Sequence, residues 1–283
     1  PTDPSGPPEP ALAQVLDDLA AAARARGEAP AAYGVAVPGP FLQPEGRFLE
    51  VPNLPGWQGF GLVEHLRGVL DAPFVARNDA NAGALAEWRW GAGRGAQSVL
   101  FLTMSTGMGA GLVLDGRVFE GPLGFAGEIG HLRLSPDGPV GFGKRGSVEG
   151  YLSGPGMVQV ARQEVLACVQ AGTPTKLAEG ELDSARLCDA AREGDPAATA
   201  AVARIAEKLG ELCALLTDLL NPDVIVVGTI GSAYPDLFLA PAMEVVRREA
   251  IPLAADHVRL VPSGLTDRGH QSALALAADL LSG

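Results

Sequence analysis

Short apolar runs alternating with helix-patterned stretches constrain this chain more than any other feature. Tyr33 to Val37 reads as a strand, a helix follows near Leu62 to Leu70, and a second strand at Pro73 to Ala76 leads into a helix through Ala82 to Trp90. Strands interleaved with helices predict an α/β fold, because each helix can cover a face of the sheet its flanking strands build. Upstream, Ala11 to Arg26 carries Leu12, Val15, Leu16 and Leu19 at helical spacing and stops at Gly27. From Gln97 the pattern changes to closely spaced strands, Val99 to Met104 and Gly111 to Leu114, with Asp115-Gly116 as a hairpin turn and Arg117 to Phe119 returning. A second domain is expected to begin there. A Gly-rich, loop-like region, Gly121 to Gly146, precedes helical patterns at Val148 to Gln170, Ser184 to Arg192 and Pro196 to Leu220. Asp223 to Val227 reads as a buried strand entering the turn Gly228-Thr229-Ile230-Gly231. A helix near Pro235 to Glu249, a strand at Val258 to Val261 and a helix at Gln271 to Leu281 complete the pattern.

Composition narrows the function classes. With 47% hydrophobic and 19% charged residues, 283 positions suffice for an extensive core. A net charge of -12 opposes a phosphate backbone, so nucleic acid is not an expected partner. Cys168, Cys188 and Cys213 lie far apart in helical stretches, without metal-site spacing, and read as small core hydrophobes in a reducing compartment. No apolar run approaches the roughly 20 residues of a membrane span, and no signal pattern opens the chain, so a cytoplasmic location with no membrane partner is expected.

Three stretches carry candidate chemistry. Asp79, in Asn78-Asp79-Ala80-Asn81, falls between a strand and a helix, where it suits either a helix cap or a general base. The run from Leu102 through Thr103, Ser105, Thr106, Gly107 and Gly109 to Gly111 joins two strands by small residues, as a plain tight turn or as a cradle of amides for phosphate oxygens. Gly127-Glu128-Ile129-Gly130-His131 places a carboxylate and an imidazole three residues apart, and Glu149 follows in Gly146-Ser147-Val148-Glu149-Gly150. They read either as a solvated Glu-His pair or, closed over a pocket, as acceptors that suit a ring of sugar hydroxyls.

Taken in order, Val37-Pro38-Gly39-Pro40, Pro52-Asn53-Leu54-Pro55-Gly56, Asn78 to Ala82, Thr103 to Gly111 and Gly127 to His131 resemble the ROK family of repressors, open reading frames and kinases, from about Tyr33 onward. The resemblance implies an actin-like, ribonuclease-H-like α/β fold with the active site in a cleft between two domains, here residues 1–96 plus 268–283 and residues 97–267. It implies ATP-dependent phosphorylation of a hexose, glucokinase-like, by a homodimer or homotetramer. Asp79 would be the base, and Asn53, Asn78, Glu128, His131 and Glu149 would hold the sugar. Thr106, Gly107, Gly109, Gly228 and Thr229 would meet the nucleotide, with Mg2+ bound chiefly through its phosphates. The alternative is a sugar-binding regulator without catalysis and without a DNA-binding domain, since a helix-turn-helix finds no room before the Tyr33 strand.

Four departures from the family pattern follow. Val140, Phe142 and Ser147 stand where family members carry three cysteines that join the motif histidine on a structural zinc, so no zinc is expected and Val140 and Phe142 are expected to pack the loop apolarly. The residues from Pro1 onward do not contain the Asp-x-Gly-Gly-Thr hairpin with which the family's kinases begin. Ser105 replaces a usual glycine in the phosphate turn, and Gly228-Thr229-Ile230-Gly231 replaces a run of three glycines, which narrows the nucleotide side and opens donor preference to question.

Overall fold

The computed structural model describes residues 3–51 and 54–282. Helix α1 (Pro8–Arg26) begins with proline in its first turn and stops at Gly27, whose φ of 70° lets the amide close back on Ala23 and Arg24. Strand β1 (Tyr33–Val37), the short hairpin β2 (Phe41–Leu42) and β3 (Arg47–Phe48), helix α2 (Leu62–Val69) and strand β4 (Phe74–Asn78) follow. β1 and β4 pair in parallel, with Tyr33 opposite Phe74 and Val37 opposite Asn78. Phe41, Phe48, Trp57, Leu62 and Leu66 bury beside this pair as a separate small core.

Helix α3 (Asp79–Trp90) leaves β4 directly and leads to a mixed sheet begun by β5 (Val99–Leu102), β6 (Ala110–Leu114) and β7 (Arg117–Val118). The turn after β6 has Asp115 at φ 50° and Gly116 at φ 71°, the paired left-handed geometry expected of Asp-Gly in a two-residue hairpin. A small hairpin of β8 (Val140–Gly141) and β9 (Lys144–Arg145) lies within the stretch read as a loop. Helices α4 (Val148–Leu152), α5 (Gly154–Gln170), α6 (Ser184–Arg192) and α7 (Pro196–Leu220) come next. Then come β10 (Val224–Val227), α8 (Thr229–Ala233), α9 (Pro235–Glu249), α10 (Pro252–His257), β11 (Arg259–Pro262) and α11 (Arg268–Ser282). The five-stranded sheet runs β11-β10-β5-β6-β7, with β10 parallel to both its neighbours and the rest antiparallel.

One face of this sheet packs the largest core, under α4 to α9. The other receives α3, whose alternation of Ala80, Ala82, Ala84 and Ala86 is explained by contact on both sides. Ala84 meets Val99, Phe101 and Val113 of the sheet, while Ala82, Leu85 and Ala86 meet Ala275 and Leu276 of α11. The approach is close: a Cβ on Gly111 would lie 2.0 Å from the carbonyl oxygen of Ala80, and one on Gly83 would lie 2.7 Å from the Phe101 ring. At the far end of α3, buried Glu87 accepts the Ala92 amide at 2.8 Å, the Gly264 amide at 3.3 Å and the Ser263 hydroxyl, which ties the helix to the connection before α11.

Several expected elements differ, among them α1 and α3, which each begin three residues before the expected start. The helix expected over Val148 to Gln170 is broken at Ser153, whose hydroxyl accepts the Gly156 amide at 3.1 Å and starts a new helix. The turn at Gly228-Thr229-Ile230-Gly231 is the start of helix α8, with Thr229 held at φ 44°. The last helix starts at Arg268 rather than Gln271. Cys188 and Cys213 are buried with thiols pushed up to about 12 by desolvation, as core hydrophobes would be, while Cys168 is half-buried. Among the described residues no helix is long and apolar enough to cross a membrane.

Candidate active site

A cavity of about 350 Å³ opens between the ends of β1 and β4 and the turn that joins β5 to β6 in the five-stranded sheet. Its floor is the junction of β4 and α3. Asn78 is the cap of α3, its Oδ1 accepting the Ala80 amide at 2.8 Å, so Asp79 is not the cap but the first residue of the helix. The capping duty therefore falls to Asn78, and the Asp79 carboxylate is left to face the cavity. Asp79 is exposed to solvent, yet the protein walls of the cleft around it desolvate the carboxylate and push its carboxyl above the ordinary range. The Ala80 amide, the Arg268 guanidinium and its own amide pull the other way.

One wall is the loop after β7. The Gly127 carbonyl accepts the Ala110 amide at 2.8 Å, and Gly127 has φ 95° with room for no Cβ, which would lie 2.0 Å from the Ala110 oxygen. This close seating on β6 delivers Glu128 to the cavity. Burial raises the Glu128 carboxyl, the charges of Asp79 and Glu149 add to the rise, and His131 opposes it. Glu149, in the first turn of α4, accepts the Met108 amide at 3.3 Å and so links this wall to the small-residue turn. Gly39 packs against the Asn78 amide nitrogen and Glu128: a Cβ there would lie 2.7 Å and 3.4 Å from them. Arg77 pairs with Glu120, and Gln43 donates to the Ala76 carbonyl at 2.8 Å, which braces β4 from both sides.

The turn between β5 and β6 adjoins this wall and completes the lining. Thr103 Oγ1 accepts the Gly109 amide at 3.0 Å, and Ser105 donates its amide to the Gly107 carbonyl at 3.0 Å. The amides of Met108 and Gly109 are thus engaged internally. Those of Thr106 and Gly107 have no partner among the described residues and border the cavity. Gly228 donates to the Leu102 carbonyl at 2.8 Å and Ile230 to the Met104 carbonyl at 3.1 Å, which docks the start of α8 behind the same turn. Gly228 and Thr229 do not line the cavity. Thr229 combines a left-handed backbone with a buried hydroxyl that has no partner among the described residues.

The structure therefore brings Asn78, Asp79, Glu128, His131, Glu149, Thr106, Gly107 and Gly109 around one cavity. Asn53 lies outside the described residues. Arg268 was not among the residues expected from the sequence. Its guanidinium lies over the Phe101 ring at 5.8 Å, 2.9 Å from where a Gly228 Cβ would be, and its charge reaches Asp79. No sequence signal marks it, because the helix that presents it was expected to begin three residues later.

Residues 2–279 match the model of the ROK family. The chain belongs to that family. Kinases and repressors both occur among its ROK relatives. It is 34% identical over 226 residues to a glucokinase of Halalkalibacterium halodurans, covering 79% of this chain and 68% of that protein. It is 30% identical to a xylose repressor of Caldicellulosiruptor bescii, covering 83% of this chain and 59% of the repressor's length. Among solved structures, a ROK glucokinase of Streptomyces griseus in complex with glucose and AMPPNP superposes with a TM-score of 0.75 at 30% identity, over 95% of this chain and 88% of that one. The fold is the actin-like ATPase architecture of ROK proteins, as the sequence resemblance implied.

The zinc of the family does not fit this ROK chain. Of the four ligand positions only His131 bears a metal-binding group, and the described residues contain no cluster of three or more His, Cys, Asp or Glu able to hold an ion. Nor do Val140 and Phe142 pack the loop apolarly as expected. They are 42% and 47% exposed. Hydrogen bonds hold the loop instead. The Ser147 hydroxyl donates to the Lys144 carbonyl at 3.0 Å and accepts the Gly150 amide at 3.1 Å, and Gln159 bonds both the N–H and the C=O of Val140, at 2.9 and 2.8 Å.

Proposed function

We infer that this chain transfers the terminal phosphoryl group of ATP to a hexose hydroxyl, with Asp79 as general base. The observation that carries the reading is that Asp79 shares one cavity with two unlike sets of groups. One is Asn78, Glu128, His131 and Glu149, a convergent set of donors and acceptors suited to sugar hydroxyls. The other is the free amides of Thr106 and Gly107, and outside the cavity lining the Arg268 guanidinium carries a charge that reaches Asp79. A hydroxyl held by the first set gives its proton to Asp79 as its oxygen bonds to phosphorus and the bond to the leaving nucleotide oxygen breaks. The raised carboxyl makes Asp79 a stronger base than a solvated aspartate once ionised. Thr106, Gly107 and Arg268 stabilise the charge that moves to the phosphate oxygens. Magnesium would enter as part of the nucleotide substrate, held by its phosphates, since this cation keeps phosphate and water ligands and needs no cage of side chains.

The test is initial-rate measurement with ATP, GTP and polyphosphate against glucose, mannose, fructose and an N-acetylated hexosamine. Saturable hexose phosphorylation with ATP is expected. A second reading, a sugar-binding regulator, is favoured by the 30% identity to a xylose repressor. Hexose binding without turnover under every donor supports that reading and excludes the first.

A further inference from the structure

Phe142 occupies the tip of the β8–β9 hairpin with φ 49°, and Gly143 follows at φ 72°. Two successive left-handed residues make the turn that favours Asn or Gly, so a phenylalanine there is held against its backbone preference. Such strain persists where surrounding contacts over-determine it. Here the Ser147 and Gln159 hydrogen bonds fix the hairpin, and Lys144 Nζ adds a bond to the His131 carbonyl at 2.6 Å. The consequence is an aromatic ring at the cavity rim, edge-on to the His131 imidazole at a centroid distance of 4.7 Å and an angle of 71°. The exposed imidazole has no hydrogen-bond partner for its nitrogens among the described residues, and this ring packs against it.

We propose that Phe142 is the positioning residue for His131, holding the imidazole toward the bound sugar by edge-to-face contact and making sugar binding independent of a metal. The inference rests on the sugar-kinase reading and on the misfit of the zinc ligand set. An aromatic pair of this geometry supports an affinity effect of about three- to tenfold.

Titration calorimetry with glucose, mannose, fructose and N-acetylglucosamine on the whole chain tests it, before and after chelation and dialysis, and for Phe142→Leu and Phe142→Tyr. Melting curves accompany each variant. Leucine keeps bulk and loses the aromatic edge, whereas tyrosine keeps the edge. Expected are an unchanged sugar Kd after chelation, an about three- to tenfold weaker sugar Kd for F142L with an unchanged Kd for ATP titrated in the same way, and recovery to within about twofold for F142Y. Sugar affinity lost on chelation and restored by zinc overturns the proposal, as does F142L binding sugar as tightly as wild type. Equally weak F142L and F142Y also overturn it. Failure of the wild type to bind any of these hexoses removes the sugar-kinase reading itself, and the role of Phe142 with it.

Discussion

Replacing Gly111 with alanine is expected to disable the site while leaving the fold in place. Gly111 lies on β6 beneath the first turn of α3, and an added Cβ would sit 2.0 Å from the Ala80 carbonyl oxygen, 2.5 Å from its carbon and 2.7 Å from the Ala84 Cβ. A carbon resting against a carbonyl oxygen settles near ~3.3 Å, so the start of α3 must retreat by about 1.3 Å. Neither obstacle is the end of a flexible side chain, and the retreat moves Asp79, the next residue toward the N-terminus, by a similar distance. A displacement of about 1 Å at a reacting group costs on the order of a hundredfold in rate. Overpacking costs about 1–3 kcal/mol in stability, which at about 2–4 °C per kcal/mol for domains of this size lowers Tm by about 2–12 °C. The assay is kcat/KM for hexose phosphorylation read beside a calorimetric melt. Gly68→Ala serves as control, since Gly68 lies in α2 with nothing within 4 Å of its would-be Cβ. A G111A variant with kcat/KM within twofold of wild type and an unchanged Tm would refute the claim that this contact positions the base.

Stability should show the cost of the cavity carboxylates. Burial raises Glu128, and the cleft walls raise the exposed Asp79, so their contribution is favourable at low pH and lost as pH rises through the raised values; E128Q should therefore melt higher than wild type at pH 7, and D79N by less because solvent screens Asp79, each by a margin that vanishes below the ordinary carboxylate range. A pH-independent difference in Tm contradicts that origin. Arg268 lowers the Asp79 carboxyl, so Arg268→Ala should shift the acidic limb of the kcat profile to higher pH and raise KM for ATP more than KM for hexose. An unmoved limb removes Arg268 from the electrostatics of the base. Ser147→Ala deletes the α4 cap and the bond to Lys144, and should cost about 1 kcal/mol of stability by chemical denaturation; no measurable loss would mean the hairpin is held without it.

The strands and long helices were legible because their signals are local. Pro196–Leu220 and Ser184–Arg192 carry caps and periodicity that end where the helices end, at left-handed Asn221 in the first case. The grouping of Asp79, Glu128, His131 and Glu149 was legible only as a resemblance, since these residues come from three segments joined by the contacts of Gly127 and Gly39 with their neighbours. Capping by Asn78 rather than Asp79 was hidden because both side chains suit a helix start, and geometry alone selects between them. Arg268 was missed because α11 begins before its apolar repeat does. Phe142 was misread because an apolar residue in a loop usually packs inward, whereas a left-handed hairpin tip turns this one to the rim.

The central claim is that Asp79 accepts the proton from the sugar. Asp79→Asn is the direct test, because Asn78 keeps the helix capped whichever residue stands at 79. Its kcat should fall by at least about a hundredfold, with hexose and ATP still bound as measured by calorimetry and the fold intact by circular dichroism. Turnover within a few fold of wild type, with both substrates bound, would contradict the assignment and leave the cavity a binding site.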